Sequence, residues 1–317
     1  MENSLLQLFP VARREFWDRT AQMQEKLQEI RLRIHKPVTL LMEGRELFLD
    51  DTGCFTDNWE LAHRTDREEL EMLLNHICHY SLYAYEDEIR QGFITVSGGH
   101  RVGLVGQVVM EKEGSIRTIK HISCVNIRIA HQLRGVADRV LPYLYERGEL
   151  KSTLIISPPG CGKTTMLRDL IRQLSDGNTY GAGRNVGVVD ERSEIAGSYM
   201  GQPQNDVGLR TDVLDACPKV LGMQLLLRSM APQILAVDEL GGEEDMHALH
   251  MAASCGSKLL ATVHGEGVMD IVRRFGACEV DLRTLFDCFL ILGKEQGKPV
   301  IKQILGREEA YAADCGR

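Results

Sequence analysis

From residue 153 onward, short apolar runs alternate with amphipathic stretches. The runs occupy 153–157, 186–190, 234–238 and 258–262, and a closing pair lies near 289–292 and 299–304. Runs this short and uniformly apolar predict strands buried on both faces, and helical stretches between them predict a mostly parallel sheet. Lys294-Glu295-Gln296-Gly297-Lys298 separates the closing pair, which predicts an edge hairpin.

The first part of the chain is patterned differently. Phe16, Met23, Leu27, Ile30 and Ile34 are spaced as on one helix face, which predicts an amphipathic helix over 9–33, stopped by Pro37. Val38-Thr39-Leu40-Leu41-Met42 and Glu46-Leu47-Phe48-Leu49 flank Glu43-Gly44-Arg45, a hairpin pattern. Asp66 opens a helix over 67–80 with Leu70, Leu73, Leu74 and Ile77 inward. A β-rich block follows at 92–96 and 98–109, with a turn at Gly98-Gly99, and Val125-Asn126-Ile127-Arg128-Ile129 reads as another strand. A helix is expected over 138–147. Two domains follow: a smaller α+β unit at 1–132 and an α/β unit at 133–317.

The junction after the first run changes the picture from architecture to chemistry. Leu154-Ile155-Ile156-Ser157-Pro158-Pro159-Gly160-Cys161-Gly162-Lys163-Thr164-Thr165 leads from a strand through a Pro/Gly loop into an amphipathic helix at 166–171. That context makes a phosphate-binding loop, because unpaired N–H groups of the loop and first helical turn converge on an anion. Gly160 and Gly162 let the backbone close around phosphates. Ser157, Pro158, Pro159, Gly160, Cys161, Gly162, Lys163, Thr164 and Thr165 are the candidate nucleotide-binding stretch. Within it, Lys163 reaches the β- and γ-phosphates and the Thr164 hydroxyl ligates Mg²⁺. The expected cofactors are ATP and Mg²⁺. Ser157 stands where the strict pattern has glycine, and Pro158-Pro159 preform the turn instead.

Three more strands end in polar residues, and in a parallel sheet such ends face the ligand crevice. Ile234-Leu235-Ala236-Val237-Asp238-Glu239 supplies Asp238 as a metal ligand and Glu239 to polarise the attacking water. Val188-Val189-Asp190-Glu191-Arg192-Ser193-Glu194 supplies Glu191 and Glu194 to organise water or metal, while Asp190 alone reads equally as a solvated acid. Leu259-Leu260-Ala261-Thr262-Val263-His264 places His264 to hydrogen-bond a γ-phosphate. Arg101, Arg117 and Arg128 lie in the N-terminal β block. One of them, with Arg101 and Arg128 as the candidates, is expected to reach in from another domain or subunit and stabilise transition-state charge. The pairs His76/His79 and His247/His250 have metal-compatible spacing on predicted helices, but neither has a nameable third ligand, so both read as surface or packing residues.

Composition narrows the partners. The 317 residues are 44% hydrophobic and 26% charged with a net charge of −8, which is ordinary for a soluble globular chain and disfavours coating of nucleic acid. Nine cysteines show no CxxC pair, so they read as reduced thiols in a cytoplasmic compartment rather than as zinc ligands. No apolar run approaches membrane-spanning length.

With these residues in hand, the chain resembles the secretion ATPase superfamily, the motors of type II and type IV secretion and of pilus retraction. The family's four boxes correspond to 157–164, 189–194, 234–239 and 262–264, and 227–233 resembles its arginine-bearing segment. Asp238-Glu239 departs from the Gly-Glu common in those motors. Ser157-Pro158-Pro159-Gly160-Cys161-Gly162-Lys163-Thr164-Thr165 and Gly98-Gly99-His100-Arg101-Val102-Gly103 are similar to its sporulation branch in endospore-forming bacteria. The resemblance implies a RecA-like P-loop NTPase core, a homo-hexameric ring, and docking on integral membrane proteins of a channel between mother cell and forespore. It implies a place in the mother-cell cytoplasm, peripheral to the membrane through those partners. No stable nucleic acid is expected. Two other readings share the same residues: a nucleic-acid-dependent ATPase of the recombinase or helicase kind, and an ATP-gated scaffold that barely hydrolyses.

Overall fold

A computed structural model describes residues 3–111, 114–276, 278 and 280–315. The chain divides into two compact units, 1–131 together with 197–204, and 132–196 together with 205–317.

The first unit is an antiparallel sheet dressed with helices. Its strands are β1 (Leu27–Arg33), β2 (Thr39–Met42), β3 (Arg45–Leu49), β4 (Phe55–Thr56), β5 (Phe93–Thr95), β6 (Arg101–Met110) and β7 (Ile116–Arg128), in the order β4-β3-β2-β1-β7-β6-β5. Helices α1 (Arg14–Gln22) and α2 (Arg67–Ile77) help close the core, in which Trp17 stacks on Phe9 at 4.1 Å between ring centroids. Asp66 caps α2 by accepting from the Glu69 amide, as its position before the helix predicts. The expected 38–49 hairpin forms, with a tighter turn than the pattern suggests: Arg45 already belongs to β3 and pairs with Met42.

The expected helix over 9–33 is wrong beyond Gln22. Leu27–Arg33 is the central strand β1, paired with β2 on one side and β7 on the other. A register shift between Leu27 and Glu29 lets both Leu27 and Ile30 point inward. That bulge reproduces an i, i+3 spacing within a strand, so it mimics helical periodicity. Strand β7 is also longer than the pattern at 125–129 suggests, starting at Ile116.

The second unit carries the alternating runs. Its strands are β8 (Thr153–Ser157), β9 (Val186–Asp190), β10 (Thr211–Asp215), β11 (Ile234–Val237), β12 (Lys258–His264), β13 (Cys288–Glu295) and β14 (Lys298–Gly306). The sheet order is β10-β9-β11-β12-β8-β13-β14, with every pair parallel except the β13–β14 hairpin. Strands β8, β9 and β11 are buried along their whole length, which explains why they read as continuous apolar runs. Alternate residues still choose opposite faces. Ile155, Val188, Ala236 and Leu260 pack with Leu167 and Leu170 of α3 (Lys163–Asp176). Leu154, Ile156, Leu235 and Val237 pack under α4 (Lys219–Ser229), α5 (Glu243–Ser254) and α6 (Val268–Phe275).

Two expectations fail here. The stretch 138–147 is not a helix; a single 3₁₀ turn at Leu141–Leu144 leads into a tight ladder of Tyr145–Glu146 with Glu149–Leu150. Pro142 removes an amide donor there, and Arg147 and Gly148, at φ +51° and +84°, form a hairpin turn. Strand β10 gave no sequence signal because it is a half-buried edge carrying Thr211, Asp212 and Asp215. Among the described residues, no helix is long and apolar enough to cross a membrane.

Candidate functional site

The polar strand ends meet at one edge of the parallel sheet. Register sets their heights: Ser157 pairs with His264, Val237 with Ala261, and Val189 with Val237. One strand, β12, therefore separates the end of β8 from the end of β11. Asp238 sits level with Thr262, and Asp190 one strand further out.

The loop after β8 opens into α3 through Gly160 and Gly162, at φ +70° and +82°. Both lie in the left-handed region that a Cβ disfavours. The Lys163 side chain is largely buried at the helix start. Burial pulls its amine below the usual lysine value, and the carboxylates of Asp238 and Glu239 oppose that shift. Its Nζ lies 3.0 Å from Nδ1 and 3.4 Å from Nε2 of His264. An ammonium can only donate, so Nδ1 accepts and the Nε2 proton faces Glu239 Oε1 at 2.7 Å. Glu239 Oε2 accepts from Arg192, also at 2.7 Å. Lys163, His264, Glu239 and Arg192 thus form one continuous chain.

The neighbouring carboxylate belongs to a second chain. Thr164 Oγ1 donates to Asp238 Oδ2 at 3.0 Å, and Thr262 Oγ1 donates to Asp238 Oδ1. Thr262 is fully buried and also accepts the Glu239 amide at 2.9 Å. It therefore fixes the Asp238 carboxylate and the Glu239 backbone together. Thr262→Val is expected to strand both partners and cost about 1–3 kcal/mol of stability, measured by chemical denaturation.

Among the described residues, no group of three or more His, Cys, Asp or Glu side chains is disposed to hold a metal. A Mg²⁺ ion that keeps water and phosphate oxygens needs only one or two protein oxygens. Thr164 Oγ1 and Asp238 Oδ2, adjacent at the end of the 157–165 loop, fit that requirement.

The acids after β9 divide by role. Asp190 is buried, contrary to the solvated alternative. Its carboxylate accepts the amides of Glu194 at 2.8 Å, Ile195 at 3.1 Å and Ala196 at 2.8 Å. Burial raises its pKa and these amides oppose the rise. Asp190 therefore shapes the turn that presents Glu191 and Glu194. Glu191 pairs with Lys219 at 3.0 Å. Arg168 of α3 grips the same turn, donating to the carbonyls of Ile195 at 2.5 Å and Glu194 at 2.6 Å.

Arg101 and Arg128 belong to the first unit, opposite one another on β6 and β7. The Arg101 guanidinium lies 3.9 Å above the Phe93 ring, and Arg128 Nε lies 3.4 Å from Glu29. Arg117 pairs with Glu111 at 3.8 Å. The two histidine pairs have other partners. His76 contacts the Gln7 carbonyl from α2, whereas His79 lies past the end of that helix and contacts the Tyr199 hydroxyl. His247 lies 3.9 Å from Glu243.

The sequence reading missed several contributors. A cavity of about 750 Å³ opens beside Cys161, Gly162 and Thr165, lined by apolar groups including Leu133, Met166, Leu292 and Ile301 together with Arg139 and Glu295. Its wall comes from the segment after residue 132 and from the β13–β14 hairpin, neither of which carries a nucleotide motif. Arg274 of α6 reaches the His264 carbonyl at 3.3 Å. The Lys294 amine sits 3.2 Å from where a Cβ on Gly160 would lie. Only charge in an otherwise apolar or turn context could have flagged these two cations.

This fold is shared with solved proteins. The ATPase DotB of Legionella pneumophila superposes with a TM-score of 0.62 at 16% identity, covering 98% of this chain and 85% of that one. The pilus retraction motor PilT, solved with bound ADP, gives a TM-score of 0.62 at 16% identity over 94% of this chain and 86% of that one. The class is therefore a RecA-like P-loop core preceded by an N-terminal α+β unit. The chain belongs to the family described as sporulation stage III, protein AA, which matches residues 1–310. It is 40% identical over 283 residues to the stage III sporulation protein AA of Bacillus subtilis (strain 168), covering 89% of this chain and 88% of that protein.

Proposed function

We propose that this protein is a Mg²⁺-dependent ATPase motor of the secretion type, energising a transport channel between mother cell and forespore during endospore formation. The observation that carries the reading is the contact of Thr164 Oγ1 with Asp238 beside a loop whose lysine is joined through His264 to Glu239. Those are the groups that phosphoryl transfer to water requires, in mutual reach. When bound, Mg²⁺ would neutralise charge on the β- and γ-phosphates. Thr164 and Asp238 would hold it, Lys163 would grip the phosphates, and the 157–165 loop would supply backbone amides. Glu239 orients water, Glu191 and Glu194 support it, and His264 couples the γ-phosphate to the sheet edge. The cavity beside Thr165, whose lining mixes apolar side chains with Arg139 and Glu295, has the size and lining to take a nucleobase.

The same proposal assigns residues 1–132 to an N-terminal domain and 133–317 to the ATPase domain. It assigns Arg101 or Arg128 to a catalytic contact across a homo-hexameric ring. Integral membrane proteins of the channel would hold the ring at the membrane from the cytoplasm. The fold shared with DotB and PilT, both named as motors or ATPases, supports the reading. ATP turnover by the purified protein, with particle mass by light scattering, tests it. Turnover that requires Mg²⁺, rises with assembly and ignores DNA is expected. Turnover that depends on DNA, or ATP binding without turnover in the assembled ring, would overturn it.

A further inference from the structure

Lys219 is the first residue of α4, where a cation opposes the positive end of the helix dipole. Local helix chemistry therefore does not explain it, and its acceptors do. The side chain is 14% exposed, and its amine meets three segments of the site. Nζ donates to the Glu239 carbonyl at 2.9 Å, pairs with Glu191 Oε2 at 3.0 Å, and lies 3.9 Å from Asp245 Oδ2. Asp245 in turn accepts the Gly241 amide at 2.8 Å, closing the loop that follows Glu239. Two donors of one ammonium are thus directed to the ends of β9 and β11, and its charge lies beside the first turn of α5.

The Glu239 backbone explains why such a clamp is needed. Its φ is +55°, in the left-handed region, where a side chain other than glycine is strained. The peptide is held on both sides, by Thr262 Oγ1 at its amide and by Lys219 at its carbonyl. That conformation turns the carboxylate back toward His264 rather than along the strand. With the carbonyl released, the residue is free to relax to negative φ and swing its carboxylate away.

We propose that Lys219 is a positioning residue for hydrolysis. It locks the left-handed backbone of Glu239 and ties Glu191 to it, so that both carboxylates keep one arrangement when a nucleotide binds. The inference rests on the ATPase reading above. It concerns the arrangement of water-activating groups and leaves nucleotide affinity to the loop.

The test compares Lys219→Met and Lys219→Arg with wild-type protein, reading kcat, KM, and the affinity of a fluorescent ATP analogue. For Lys219→Met, kcat is expected to fall roughly 10- to 100-fold, the scale of loss seen when the outer partner of a metal ligand is removed. KM and analogue affinity should stay within about twofold, because uniform binding is untouched. Lys219→Arg, which keeps the charge and can span the Glu239 carbonyl and Glu191, should recover part of kcat. A Lys219→Met enzyme with wild-type kcat, or one whose nucleotide affinity falls as far as its kcat, would refute the positioning role and leave the ATPase reading standing. Wild-type protein that does not hydrolyse ATP would overturn both.

Discussion

Lys163→Ala is expected to abolish ATP turnover and weaken nucleotide binding. The lysine is largely buried at the end of the 157–165 loop, pulled below its ordinary pKa by desolvation, a shift that Asp238 and Glu239 oppose. Removing it deletes a charged hydrogen-bond donor to phosphate, a loss of about 1.5–3 kcal/mol in binding, or roughly 10- to 100-fold. It also leaves His264 Nδ1 without its donor, so the link from the loop to Glu239 is cut. Turnover should therefore fall further than affinity, because the charge that develops on the phosphates loses its nearest compensating cation. Titration with a fluorescent ATP analogue and a phosphate-release assay check the two effects separately. Unchanged affinity and turnover would show that the loop does not take phosphate.

The legibility of this chain depended on whether a signal was local. The loop at 157–165, the strand ending in Asp238-Glu239 and His264 at the end of its strand were all readable, because each is a short apolar run with a distinctive terminus. The parallel sheet followed from the same runs. Strand β10 was not readable, since an edge strand is buried by half and carries acids. Strand β1 misled because its bulge reproduced helical spacing. In both cases the deciding interactions were with strands distant in sequence.

The supporting shell of the site was harder still. Lys219, Arg168 and Arg274 are cations on helices, where a surface residue is the ordinary expectation. Their roles exist only after folding, because each donates to main-chain carbonyls of a segment distant in sequence, and Lys219 pairs besides with Glu191. Sequence patterns advertise chemical side chains. They do not advertise which carbonyl a lysine will find.

Glu239→Gln separates holding a nucleotide from cleaving it. The carboxylate accepts from His264 on one oxygen and from Arg192 on the other. Glutamine keeps one acceptor oxygen but presents an NH₂ group to the second donor, so one of the two contacts must break. The negative charge that would draw a proton from water is also lost, which removes roughly 10²- to 10⁴-fold of general-base rate. Lys163, Thr164 and Asp238 are untouched, so ATP and Mg²⁺ should bind as in wild type. The expected protein is a trapped, nucleotide-loaded form, seen as normal analogue affinity with turnover reduced by at least about two orders of magnitude. Normal turnover would remove Glu239 from the water-activating role. Its strained backbone and the double clamp by Thr262 and Lys219 would then be without a purpose in hydrolysis, and Glu191, tied to the same lysine, would be the next carboxylate to test.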